Sequence, residues 1–185
     1  MYRIKMSPCM IPFRGLCSGK CYEASKPIKW GAKIWKLCCA ALSQGMPVIW
    51  TCGRDKDLED LSLVNNSAAV VIKLCQSLWG KGYHVLSDRY YSSPNLLHWL
   101  QSLNMSGTGT CMTNSKGFSK PLVKSTTEAR RLEQGQYEWM QCHNTGITAT
   151  WWMNKKPIYF ISNAAVPEVS TTLTVTRHNK VTLLV

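Results

Sequence analysis

The sequence predicts an α/β layer fold with a mixed sheet. Two β-rich runs joined by a short turn lie in 33–52, apolar residues recur at helical spacing in 67–79 and 94–103, and a short apolar run separates the two helices. The order is strand, strand, helix, strand, helix. At 185 residues, with 45% hydrophobic content, the chain has room for one domain and an ordinary core.

Residues 1–19 open with a strand. Residues 20–30 are polar and basic and end in a Pro-containing turn. Residues 33–42 form a strand rich in aromatic and branched side chains (Ile34, Trp35, Leu37), turned by Ser43-Gln44-Gly45 into a second strand at 46–52, a β-hairpin. The segment 53–66 holds Asp55, Asp57, Glu59 and Asp60. It lacks the central glycine and late glutamate of a calcium loop and reads as a solvated connector. Residues 67–79 form a helix that Ser67 can cap, with Ala68, Val71, Ile72, Cys75, Leu78 and Trp79 near helical spacing and Gly80 at its end.

Gly80 and Gly82 bracket Lys81 in a tight reversal. Tyr83–Ser87 follows as a short buried strand, with Asp88 at its tip. A carboxylate there can be presented to a metal or can simply end the strand. Ser93 is an N-cap, Pro94 the first helical residue, and Leu96, Leu97, Leu100 and Leu103 share one face of a helix over 94–103. Residues 106–127, rich in Gly, Ser, Thr and Lys, read as loop. Three short strands follow at 136–141, 147–153 and 157–162, with turns at 143–146 and 154–157. An alternating β pattern (Leu173, Val175, Arg177) continues towards residue 185.

Charge points to a partner. The chain carries 22 Lys and Arg against 10 Asp and Glu, a net charge of +12. That favours a polyanion, nucleic acid before an anionic membrane surface. No run is long and uncharged enough to span a bilayer, and MYRIKMSPCM has no apolar signal core, so no membrane partner is expected. Nine cysteines without a framework spacing read as mostly reduced thiols. Cys17 with Cys21, and Cys38 with Cys39, lack the spacing of a zinc ribbon. Cys142-His143 is a poor nucleophile pair, since neighbours on a strand point apart.

The segment GKGYHVLSDRYYSSPNLL, beginning at Gly80, resembles the second-aspartate segment of piggyBac-type transposases, roughly GKGYxLxxDxFYTSxxL. MIPFRG (10–15) and SKPIKWGAKIW (25–35) agree upstream, and GTGTCMTNSKG (107–117) and TATWWMNKKPIYFISN (148–163) downstream. The resemblance implies a ribonuclease-H-like mixed sheet with flanking helices, interrupted by a β-rich insertion. The corresponding division is a partial core at 1–114, an insertion at 115–172 and a truncated return towards the core at 173–185. It also implies a nuclear location, although no clear import signal is present.

The family's pattern on the first strand is Asp-Glu-x-Met-Ile-Pro-Phe. Here Ser7 stands at the Asp position and Pro8 at the Glu position. Cys39 stands for a usual Asp, Ser43 for a Gly, and Ser115 for an arginine in an Asn-Arg-Lys-Gly pattern. Such enzymes cut DNA with two metal ions about 4 Å apart, held by converging carboxylates. Of three metal-binding aspartates, only Asp88 is matched. Ser7 replaces the first, and the third would fall past residue 185. The expectation is a catalytically inactive domain that binds no cofactor, taking up magnesium or manganese at Asp88 only if another chain completes the site.

DNA binding requires less: cations near phosphates and no metal. The candidates are Arg14, Lys26, Lys29, Lys33 and Arg89 in the matched blocks, and Lys116, Lys120, Lys124, Arg130 and Arg131 in the inserted region. Each could equally be a solvated lysine or arginine. Trp30 and Trp35 could stack on bases but are expected to pack in the core. The expected partner is DNA with little sequence preference, with a transposase-like protein a further partner. The alternatives are an active or partner-complemented nuclease, a protein-interaction domain, and a transposon remnant without function.

Overall fold

A computed structural model describes residues 3–16, 20–24, 26–39, 45–50, 66–164, 173–177 and 180–184. The acidic segment 53–65, the 43–44 turn and residues 165–172 lie outside the described residues.

The first strand, β1 (Arg3–Pro12), pairs antiparallel with β3 (Trp30–Cys39), Ser7 opposite Lys36 and Pro12 opposite Gly31. Two strands share the outer edge of β3. These are β2 (Lys20–Tyr22), opposite its start, and β4 (Gly45–Trp50), opposite its later half. The expected hairpin is therefore present, with β3 beginning at Trp30 rather than Lys33. The stretch expected to be only a basic turn supplies β2.

On its other side β1 pairs in parallel with β5 (His84–Ser87), and β5 in parallel with β6 (Ser106–Thr110). Here the sequence reading is corrected: Ser-Gly-Thr-Gly-Thr is a central strand, not loop. Its apolar signal is missing because a helix fills the space where side chains would stand. A Cβ on Gly107 would lie 2.9 Å from Leu97 and from Leu100. Both leucines belong to α2 (Pro94–Ser102), which starts as expected: the Ser93 hydroxyl accepts the Leu96 N–H at 3.1 Å and Pro94 takes the first turn. The residues Asn66–Leu74 form α1, whose Ala68, Ala69, Val70, Val71, Ile72 and Leu74 are all buried. A 3₁₀ turn (Gln76–Leu78) and the reversal through Gly80 and Gly82, both at positive φ, then deliver the chain to β5.

The same sheet continues past β6. The strand β9 (Pro157–Ser162) pairs antiparallel with β6, β8 (Thr148–Met153) with β9, and β7 (Tyr137–Gln141) with β8. The described strands from β1 to β9 thus form one nine-stranded mixed sheet. A four-residue helix α3 (Thr126–Ala129) precedes β7, closed by a capping box between Ser125 and Glu128. The last strands, β10 (Leu173–Arg177) and β11 (Lys180–Leu184), pair with each other as a separate two-stranded sheet among the described residues.

One core joins the layers. Ile4, Met6 and Leu37 from the sheet, Val71 and Ile72 from α1, Val85 from β5, and Leu96, Leu97 and Leu100 from α2 form one buried cluster. It extends to Trp151 and Ile161 beyond β6. The parallel pair β1–β5 crosses its centre, and this fixes where the ends of those strands emerge.

Candidate nucleic-acid interface

The register of β1 against β5 sets the site. Arg3, Ile4 and Lys5 lie level with His84, Val85 and Leu86. Two residues further on, Ser7 lies within β1 and Asp88 follows the end of β5. The two positions at which the resemblance expects aspartates thus lie on adjacent parallel strands, near the end of β5.

Asp88 is exposed and held by its own turn. Its Oδ1 accepts the Tyr90 N–H at 2.8 Å. Its carbonyl accepts the N–H of Tyr91, the N–H of Ser92 and, at 2.8 Å, the Ser92 hydroxyl. The Ser87 and Ser92 hydroxyls are bonded at 2.7 Å. Gly109 on β6 makes room for this closure, because a Cβ there would collide with Ser92 and Ser87. The turn and the glycine-rich strand are thus one construction.

A cleft of about 410 Å³ opens beside the tip. Pro8, Cys9 and Met10 of β1, Glu23 and Lys26 after β2, Lys33 of β3, Asp88 to Tyr91, and Met112 line it. Lys33 lies 3.5 Å from Glu23 and 5.6 Å from the ring centres of Trp35 and Tyr90. Burial pushes the Tyr91 phenol up from its ordinary range.

This donor set does not fit a pair of divalent ions. Each such ion wants several oxygen ligands, converging and negatively charged. The described tip offers Asp88; the cleft's other carboxylate, Glu23, is paired to Lys33, and Lys26 and Arg89 add positive charge. Among the described residues no three His, Cys, Asp or Glu side chains gather as metal ligands.

Known proteins fix the family. The family model described as transposase IS4 matches residues 4–182. The chain belongs to this family. The human piggyBac transposable element-derived protein 2 is 26% identical over 161 residues, 84% of this chain and 26% of that protein. The cryo-EM structure of a piggyBac transposase synaptic complex with hairpin DNA matches at a TM-score of 0.75 and 22% identity. That match covers 90% of this chain and 34% of the other. The chain is thus a partial piggyBac-type transposase domain, about a quarter of the length of the human relative and a third of the solved chain. The mixed sheet fits the ribonuclease-H-like fold that the resemblance implied.

Within this transposase domain the candidate cations are dispersed. Lys26, Lys33 and Arg89 meet in the cleft. Arg14 lines a second groove with Pro12, Phe13, Lys20 and Trp30, and exposed Lys29 adjoins Trp30 in sequence. Lys116, Lys120, Arg130 and Arg131 are exposed between β6 and β7, outside the cleft. Lys124 is engaged internally: its ammonium lies 2.7 Å from Glu138 and 5.0 Å from the Trp151 ring centre.

The expectation for the two tryptophans divides. Trp35 packs against the core, whereas Trp30 is 56% exposed. The sequence reading also passed over Lys20, Tyr22 and Tyr90. Tyr22 lies opposite Trp30 across β2–β3, a pairing legible only once β2 is known to be a strand.

Proposed function

We propose that this domain no longer cuts DNA and retains binding to the DNA backbone, with little sequence preference and acting in the nucleus. The end of β5 carries the reading: Asp88 just past it, Ser7 within the neighbouring strand β1, and Lys26, Lys33 and Arg89 lining the cleft with Asp88. A serine hydroxyl is neutral and cannot replace a bridging carboxylate between two divalent ions. The cations need no metal to hold phosphate.

The test is a titration of labelled duplex DNA by fluorescence anisotropy. With about four phosphate contacts, affinity falls roughly a hundredfold between about 50 and 200 mM salt. Arg89→Ala and Lys26→Ala each weaken binding and flatten that slope. An affinity indifferent to salt would sink the backbone reading. Incubation with magnesium or manganese leaves a transposon-end substrate intact. A metal-dependent nick that Asp88→Ala abolishes would instead mean that the missing ligands come from elsewhere.

A further inference from the structure

The cleft at Asp88 is not the chain's most aromatic basic surface. Beyond Met10, β1 runs out to Pro12, Phe13 and Arg14 beside the start of β3. Ser7 and Pro12 are five residues apart, roughly 17 Å at the rise of a strand. There Trp30 and Tyr22 face each other across β2–β3, ring centres 4.8 Å apart and planes tilted by 48°. They are 56% and 53% exposed, and Phe13 is 41% exposed. Lys20 Nζ lies 5.4 Å from the Trp30 ring centre. Arg14 and Lys20 line the adjoining groove of about 440 Å³, and among the described residues no carboxylate lines it. Glu23, the acid next in sequence to Tyr22, is paired with Lys33.

We propose that this edge, built from Phe13, Arg14, Lys20, Tyr22 and Trp30, is a stacking platform for the unpaired bases of single-stranded DNA. It rests on the DNA-binding reading above and adds the form of DNA. Cations with no acid beside them among the described residues favour a polyanion. Exposed indole and phenol faces select planar rings, and duplex bases keep their own faces buried in the stack. Stacking is sequence-tolerant, because every base has a π-face, and cations beside the rings follow the phosphates. An apolar protein segment would use the aromatic faces but bring no anion to Arg14 and Lys20.

The experiment compares fluorescein-labelled oligo(dT) of about 12 nucleotides, within the site sizes of single-strand binders, with a duplex of equal length and an abasic strand of equal charge. Trp30→Ala weakens oligo(dT) binding roughly 5- to 150-fold, the contribution of stacking per base, while duplex binding moves by about twofold or less. Trp30→Phe restores most of the loss, Tyr22→Ala repeats it in part, and the abasic strand binds the parent protein as weakly as oligo(dT) binds Trp30→Ala. Thermal melts by circular dichroism confirm that each variant is folded. Equal losses on duplex and oligo(dT), no loss on oligo(dT), or full binding of the abasic strand would each overturn the platform. If Trp30→Ala is silent on oligo(dT) while Arg89→Ala still weakens the duplex, the stacking proposal fails and the backbone reading stands. If oligo(dT) binds through Trp30 and duplex does not bind, the platform stands and the duplex reading fails.

Discussion

Trp30 and Trp151 each lie under a lysine ammonium, Lys20 at 5.4 Å and Lys124 at 5.0 Å, yet their surroundings give them opposite uses. Trp151 is 3% exposed in β8, its indole N–H donates to Glu138 at 3.0 Å, and the same carboxylate takes the Lys124 ammonium. Ring, acid and base are satisfied among themselves. Trp30 stands at the first residue of β3, more than half exposed, and among the described residues no acid lines its groove. A cation–aromatic pair is therefore no sign of function by itself. What separates the two sites is whether an acid among the described residues answers the charge.

Stability measurements on the two tryptophans test the contrast most strongly. Trp151→Ala removes a buried indole and costs about 3–5 kcal/mol by urea denaturation. Trp30→Ala costs about 1 kcal/mol, the loss of a half-exposed cross-strand contact with Tyr22. A Trp30→Ala cost near that of Trp151→Ala would make Trp30 a packing residue and remove the stacking platform with it.

A smaller effect is expected at Gly109, where the fold and the Asp88 tip share one contact. A methyl there meets the Ser92 and Ser87 oxygens that close the Asp88 turn. Gly109→Ala destabilises the chain by about 1–3 kcal/mol, the usual cost of overpacking. Duplex affinity falls too, because Arg89 lies in that turn. Gly82→Ala, with open space around the Cβ but a positive φ of 67°, costs stability through backbone strain and leaves DNA binding unchanged. Parallel losses of affinity in both variants would mean that affinity tracks folding alone.

Much of this was legible in the sequence because local chemistry and tertiary role agree. Ser93-Pro94 starts α2, Gly80 and Gly82 turn the chain, and the leucines of 96–100 face the core, as their types and spacing require. The Asp88 tip was legible for the same reason. Three features were hidden because distant residues decide them. β6 has no apolar pattern of its own, since Leu97 and Leu100 occupy its side-chain space. Lys124 reads as a free cation until Glu138 is brought beside it by β7. Trp30 reads as core until β3 is found to begin there, at its exposed end.

Acid titration gives the finest separation, because two groups lose stability in different ranges. Burial, then the nearby Arg3 charge, lowers the His84 pKa below its ordinary 6.5. The unfolded chain therefore takes the proton first, and this contribution is fully present above about 6.5 and lost as pH falls through the folded value. Glu138 is held below the ordinary 4.5 by the Lys124 hydrogen bond and then by the Trp151 indole. Its contribution is present above 4.5 and lost only as pH falls through its own depressed value. With the Glu138 side chain 50% exposed, solvent screening keeps the pair to about 1 kcal/mol or less. Thermal melts from pH 7 to 3 should fall in two stages. Replacing His84 by Asn flattens the first, and Glu138→Gln flattens the second while lowering stability at neutral pH. If Glu138→Gln left both the neutral-pH stability and the acid limb unchanged, Lys124 would not be engaged in solution and would return to the candidate DNA contacts.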